Sequence, residues 1–296
     1  MCLVAFAINA SARWPLVIAS NRDESFERPT LPLQRWESPS GQAIISGRDM
    51  HAGGAWMGAT PEGRAAFLTN VREHPLARHP APRSRGELVT RWLDGGQTAM
   101  DFMGAVDPAE YGGFNLVVCD WREKAWTWLG NRPQDNNHNG SSRASWVYRH
   151  LTDGIYGLSN AALDTPWPKT LALKAALDNA LGDAESEESS ARLENQLWQA
   201  LASRQQAVPG SLPGTGVPVA WEKALSSAFV YAPERAYGTR CSTLLIAERD
   251  AGTSKGKEGM SLKIQEKTFP PGYEPNLHDQ AKISVSITSQ TLSWAG

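Results

Sequence analysis

The chain has 296 residues, 41% of them hydrophobic, enough to bury a full core and far from the composition of a disordered segment. Its 29 lysines and arginines stand against 31 acidic residues, and the formal charge of −2 excludes a general nucleic-acid or anionic-membrane binder. No apolar run reaches the ~18 residues of a membrane span, and the amino terminus lacks a basic n-region, so the expectation is a cytosolic protein with no integral membrane segment.

Residues 3–8 read as a buried strand and residues 16–20 as a second, joined by the polar stretch 9–14. Residues 28–39, with Pro29, Pro32 and Pro39, read as a loop, and residues 44–48 as a short strand. The Gly53-Gly54 pair makes a tight turn, after which residues 56–59 and 65–69 form a hairpin around Pro61-Glu62-Gly63. Residues 71–85 form an exposed basic loop carrying Arg72, Arg78, Arg83, Arg85, His74 and His79. Ser84 is the expected cap of a helix over 86–93, stopped by Gly95-Gly96, with a second short helix ending at Gly104.

Residues 114–119 and 125–129 form another hairpin, 131–142 a polar loop, and 146–151 and 155–159 two strands. Pro168, Leu173, Leu177, Ala180 and Leu181 define an amphipathic helix with Gly182 as terminator. A second helix carries Leu193, Leu197, Ala200 and Leu201, after an acidic connection over 183–190. Residues 208–218 read as a loop, 243–247 and 262–268 as strands separated by the glycine- and lysine-rich stretch 250–260, and 282–287 as a last strand. Strands, then helices, then strands point to α+β layering in a single domain.

The first residues carry the strongest chemistry. Cys2 follows a methionine and is small enough for methionine aminopeptidase to expose, which leaves a cysteine with a free α-amine. An α-amine titrates at roughly 7.7–8.0 and a thiol at roughly 8.5, so one residue supplies a nucleophile and its base. The alternative is an incidental residue at a strand start. The hairpin returns Asn21-Arg22-Asp23-Glu24 beside Cys2. There the Arg22 guanidinium lowers the thiol pKa and the Asp23 carboxylate orients the α-ammonium, or else Asp23 caps a turn and Arg22 pairs with Glu24.

Of the three cysteines, Cys2, Cys119 and Cys241 form no close pair, which excludes a disulfide framework and a zinc ribbon, and Cys119 reads as a buried strand residue. The six histidines make no metal motif. His74 and His79 lie five apart in a loop, and no Cys-x-x-Cys-His attachment occurs, so no metal or cofactor is required. For haem as a noncovalent ligand, His51 beside the Gly53-Gly54 turn is the axial candidate, with a solvated loop histidine the alternative. Twelve tryptophans, Trp56 among them, either line an apolar ligand cavity or pack the core.

Further segments are collinear with a known family: Gly53-Gly54-Ala55-Trp56-Met57-Gly58, Leu68-Thr69-Asn70, Ser84-Arg85-Gly86-Glu87-Leu88, Gly113-Phe114-Asn115-Leu116, Gly157-Leu158-Ser159-Asn160, Thr165-Pro166-Trp167-Pro168-Lys169 and Tyr237-Gly238-Thr239-Arg240. With the Asn21-Arg22-Asp23-Glu24 motif, they make the sequence resemble the NRDE family, the transport and Golgi organisation protein family, nearly end to end. The resemblance implies an α+β fold of N-terminal-nucleophile hydrolase type, a four-layer αββα sandwich. It also implies links to haem trafficking and to lipid and acyl-CoA homeostasis, without a shared reaction.

The first region also looks like the choloylglycine hydrolase branch, in which an Arg and an Asp follow the nucleophile at similar spacings. That likeness implies that Asn160 and Asn70 contribute to an oxyanion site and that Arg240 is a later arginine of the pocket. The alternatives are turn asparagines and a surface arginine. The remaining ligand-binding candidates are Asn21, Glu24, Arg48, His51, Trp56 and Arg72, with the arginines suited to carboxylate or phosphate. Two functions are consistent with these residues. One is cleavage of a C–N amide or related acyl bond of an anionic small molecule through Cys2. The other is non-catalytic carriage of haem or acyl-CoA.

Overall fold

A computed structural model describes residues 2–73, 81–132, 144–184, 190–249, 259–273 and 285–295. In chain order its elements are β1 (Cys2–Ile8), β2 (Leu16–Ser25), β3 (Thr30–Glu37), β4 (Ala43–Asp49), β5 (Met57–Ala59), β6 (Arg64–Asn70), α1 (Gly86–Asp94), α2 (Ala99–Ala105), β7 (Phe114–Asp120), β8 (Ala125–Gly130), β9 (Val147–His150) and β10 (Gly154–Leu158). There follow α3 (Pro168–Ala184), α4 (Ala191–Leu201), α5 (Val219–Ala224), β11 (Tyr231–Ala232), β12 (Tyr237–Arg249), β13 (Gly259–Thr268) and β14 (Ser286–Ala295).

The strands form two seven-stranded sheets, one ordered β10-β1-β2-β12-β13-β14 with β11 beside β12, the other running β3 to β9 in sequence order. All of their pairings are antiparallel. Strand β1 is buried along its whole length because both its faces are covered, which is why it reads as an unbroken apolar run and not as an alternation. Val4 and Phe6 meet Phe67 and Trp128 of the other sheet, whereas Leu3 and Ala5 meet Leu173, Leu177 and Leu197 of α3 and α4. Behind the second sheet, Leu116 and Val118 pack on Leu88, Trp92 and Phe102 of α1 and α2.

The hairpins over β1–β2, β5–β6 and β7–β8 and helices α1 to α4 lie where the sequence predicts them. Residues 28–39 are the main correction, since the proline-bearing stretch expected to be a loop contains strand β3. Pro32 is tolerated because β3 is an edge strand with an irregular register between Leu31 and Gln34, so its missing N–H breaks no central ladder. Helix α3 passes through Gly182 to Ala184, because burying Leu181 and Ala184 outweighs a glycine penalty of about 1 kcal/mol. The first residue before α1 is Arg85, with no side-chain cap, in place of Ser84. Helix α5 carries too little local pattern to be read in advance; of the last strand expected over 282–287, residues 282–284 lie outside the described residues, and 286–287 open a longer strand, β14. Residues 74–80 of the basic loop, with His74, Arg78 and His79, lie outside the described residues. So do 133–143 of the polar loop, 185–189 of the acidic connection and 250–258.

Glu266 joins the two sheets. It lies on β13, is almost fully buried, and accepts the Leu33 N–H of the irregular β3 at 2.8 Å. Burial pushes its carboxyl up, against hydrogen bonds from Leu33, Cys241, Thr268 and Thr243 that pull it down. A carboxyl with a raised folded pKa contributes its stability in full below the ordinary glutamate value and loses it as pH rises through the raised value. Glu266→Gln should therefore gain on the unmodified protein in urea stability as pH rises from about 4 to about 8. A difference that stays constant across that range would show that Glu266 ionises as if exposed.

Candidate active site

The antiparallel ladder sets the site. Cys2 lies opposite Arg22 on β2, and Arg22 lies opposite Cys241 on β12. On the other side of β1, Val4 pairs with Leu158, the last residue of β10, and the chain runs on through Ser159 and Asn160 beside the Cys2 end of β1. Residues aligned across neighbouring strands share a face, so Cys2, Arg22 and Cys241 form one row facing the second sheet, and Asn160 reaches toward that sheet just beyond the end of β10. Trp56 comes down on that row from the second sheet, its ring centroid 4.4 Å from the Arg22 guanidinium. Gly47 makes room for it: a Cβ there would lie 2.3 Å from the Trp56 ring.

Asn160 is held from both sides. Its Nδ2 donates to the Asn70 carbonyl at 2.8 Å, its own carbonyl accepts the Arg72 N–H at 2.7 Å, and the neighbouring Ser159 hydroxyl donates to the Cys2 carbonyl at 3.2 Å. Asn115 fixes the next residue, donating to the Ala161 carbonyl at 2.8 Å and to Thr69 at 3.0 Å. One N–H of the Asn160 amide serves Asn70, and the amide carries a second.

The motif Asn21-Arg22-Asp23-Glu24 lies inside β2, so its residues alternate between faces. Arg22 and Glu24 face the row and approach to 3.9 Å. Asn21 and Asp23 face the helices. Asn21 donates to the Leu201 and Ala228 carbonyls, each at 2.8 Å, and accepts from Ser242 at 2.6 Å, so this expected ligand contact is instead a buried tie between sheet and helix layer. Asp23 accepts from Thr239 Oγ1 at 2.7 Å, and its carbonyl accepts from the Tyr237 hydroxyl at 2.7 Å.

Helix α3 carries a buried cation to which the sequence pattern assigns no role. Lys169, second residue of α3, is 5% exposed and donates to the Leu225 carbonyl at 2.9 Å. Gly157 lets α3 lie directly on β10, since a Cβ there would stand 2.5 Å from the Thr170 side chain. Burial lowers the Lys169 pKa and Arg72 lowers it further, while Asp23, Cys2 and Glu222 oppose the shift. Burial raises Asp23 against the pull of Lys169, the amino-terminal charge and Thr239. Burial likewise raises the Cys2 thiol, with Asp23 and Glu24 adding to it and the amino-terminal charge and Arg22 opposing it. For Glu24 the balance reverses: its burial is outweighed by the amino-terminal charge, the Ser25 N–H, Arg22 and Arg28, and its pKa falls.

The other candidates are placed differently. Arg72 forms a buried pair with Glu222 at 2.6 Å, donates to Thr215 at 3.0 Å and lies over Trp167, so it borders the Lys169 side of the site. Arg240 donates to the carbonyls of Ser25, Phe26 and Arg28 and pins the turn after β2. Arg48 stacks on Trp36 at 4.3 Å, and His51 is an exposed turn residue whose N–H bonds Asp49. Neither joins the row. Among the described residues, no three His, Cys, Asp or Glu side chains gather as a metal site, and no helix is long and apolar enough to cross a membrane. Lys169, Glu222, Asn115 and Thr239 were missed. Lys169, Asn115 and Thr239 fall within the segments that carried the family resemblance, and that was the available signal. Glu222 had none.

A family model described as Transport and Golgi organisation 2 matches residues 1–260. The Transport and Golgi organization 2 homolog of Mus musculus is 29% identical over 258 residues, covering 84% of this chain and 89% of its own. The Homo sapiens homolog is 28% identical over 298 residues, covering 89% and 94%. Among solved structures, the C2A mutant of conjugated bile acid hydrolase from Clostridium perfringens matches with a TM-score of 0.50 at 8% identity, over 98% of this chain and 96% of that one. This last likeness is one of fold alone.

Proposed function

The chain belongs to the Transport and Golgi organisation 2 family, and from that premise we propose that it cleaves a C–N amide or related acyl bond of an anionic small molecule through Cys2. The architecture that goes with this reading is a single domain built as a four-layer αββα sandwich. What supports it most is the pairing of Cys2 with Arg22, together with the Ser159 hydroxyl on the Cys2 carbonyl, which brings Asn160 close to the same strand end.

In the proposed reaction, removal of Met1 frees the Cys2 α-amine, which takes the thiol proton as Sγ attacks the acyl carbon. The second N–H of Asn160 stabilises the developing oxyanion. The C–N bond then breaks, the leaving amine takes the proton from the α-ammonium, and a thioester remains on Cys2. Water hydrolyses the thioester, releasing the acid and restoring the thiol. Arg22, stacked on Trp56, favours the thiolate and an anionic substrate.

A second reading is non-catalytic carriage of haem or acyl-CoA. Its support is the burial that raises the Cys2 thiol, since a raised thiol is a poor nucleophile. The first test is intact mass. Protein isolated from its own host should lack one methionine, and retention of Met1 sinks the amine-as-base mechanism.

A further inference from the structure

Resting on the Cys2 reading above, in which the Asn160 amide meets the acyl oxygen, we propose that Asn115 is a positioning residue for Asn160. By bridging Thr69 and Ala161 it sets the gap between the two chain segments that carry Asn70 and Asn160, and with it the aim of the Asn160 amide.

A buried asparagine in a central strand is costly, because strands disfavour it and its amide must be bonded away from water. Asn115, second residue of β7, is 1% exposed, and both its N–H groups and its oxygen have partners. Its Nδ2 donates to Thr69 Oγ1 at 3.0 Å and to the Ala161 carbonyl at 2.8 Å, and its Oδ1 accepts the Trp128 Nε1–H at 3.1 Å. An indole nitrogen can only donate, so the atom it meets is the amide oxygen, and both N–H groups are thereby turned to Thr69 and Ala161. Gly130, opposite Asn115 on β8, makes room for the indole: a Cβ there would stand 3.2 Å from the Trp128 ring.

The two acceptors define what is braced. Thr69 pairs with Asn115 across the β6–β7 ladder and immediately precedes Asn70, while Ala161 immediately follows Asn160. Asn160 crosses between the same two segments, through its Nδ2 on the Asn70 carbonyl at 2.8 Å and its own carbonyl on the Arg72 N–H at 2.7 Å. The Asn115 crossing thus lies one residue from the Asn160–Asn70 contact on each segment. The Ser159 hydroxyl on the Cys2 carbonyl, at 3.2 Å, ties residues 159–161 to β1 but does not set their distance from the second sheet. Without Asn115 the Asn160 side chain has to hold that gap itself. With Asn115 in place, it has only to be aimed.

The Asn160 amide can be followed directly. In full-length protein labelled with 15N-asparagine, its side-chain pair is the one lost in Asn160→Asp. Asn115→Leu, similar in size and unable to hydrogen-bond, should speed solvent exchange of that pair by about tenfold, the factor that one net hydrogen bond is worth. Trp128→Phe keeps an aromatic ring but frees the Asn115 oxygen, and should give a smaller rise; it decides if Asn115→Leu does not fold. Two reagents then probe Cys2, with the modified peptide read by mass. p-Nitrophenyl acetate passes its acetyl group to Sγ through an oxyanion and releases p-nitrophenolate, whereas iodoacetamide alkylates Sγ by displacing iodide, with no oxyanion. Asn115→Leu should slow the first by about tenfold and leave the second unchanged. Unchanged Asn160 exchange in the variants that fold, or equal slowing of the two reagents, overturns the proposal. If the unmodified protein takes no acetyl group at Cys2, the Cys2 reading fails, and Asn160 exchange still decides what Asn115 holds.

Discussion

Cys2→Ala should lower acyl-amide turnover by on the order of 10^6-fold and abolish any thioester adduct, while ligand affinity stays within about 1 kcal/mol of the unmodified protein. The asymmetry follows from the row of side chains. Arg22, Trp56 and Asn160 are held by contacts that do not pass through the Cys2 sulfur, so binding survives its removal. The chemical step has no other nucleophile in the row except Cys241, whose thiol burial holds well above its ordinary value. The measurement is turnover across a panel of acyl amides, with intact mass to detect the thioester and haem and acyl-CoA titrations on both proteins. Tight, equal binding of haem or acyl-CoA to both, with no turnover by the unmodified protein, would replace the enzyme reading with the carrier.

The largest stability effect should come from the buried pair at the edge of the site. Arg72→Met leaves Glu222, 4% exposed, without the guanidinium that meets it at 2.6 Å, and an uncompensated buried charge costs about 3–5 kcal/mol. Thr215 remains bonded to Glu222 but is neutral and cannot replace the charge. Arg72→Met combined with Glu222→Leu removes both charges and should recover most of the loss. Urea denaturation of the two single variants and the double variant measures the coupling. Additive losses, with no recovery in the double variant, would mean that the two charges do not depend on each other. Because the pair also bonds Thr215, loosening of residues 213–226 in hydrogen exchange should accompany the single-variant loss.

Local pattern alone determined a good part of this protein. The unbroken apolar runs over 3–8 and 16–20 and the turn at 9–14 carry the chain back beside Cys2, and Pro168 with its apolar spacing starts α3 where the structure has it. The pairing of Arg22 with Cys2 follows from that hairpin, because register in a short antiparallel hairpin is set by its turn and by which face is buried. The same hairpin puts Asn21 on the face opposite Arg22, but the rest of the motif was decided elsewhere. Strand β12 pairs along β2 as far as Ser25, which keeps residues 23–25 in the ladder past the end of β1 and turns Asp23 away from the thiol. Arg240 was read as a pocket residue, yet it holds a turn, since only the docked β12 brings it under the carbonyls of residues 25–28. Lys169, Glu222 and Asn115 reach the site from helices and strands far along the chain. Sequence periodicity says which face of an element is buried, but it does not say which other element covers that face. The partner of a buried charge is therefore set by packing between elements, and here only the tertiary structure decided it.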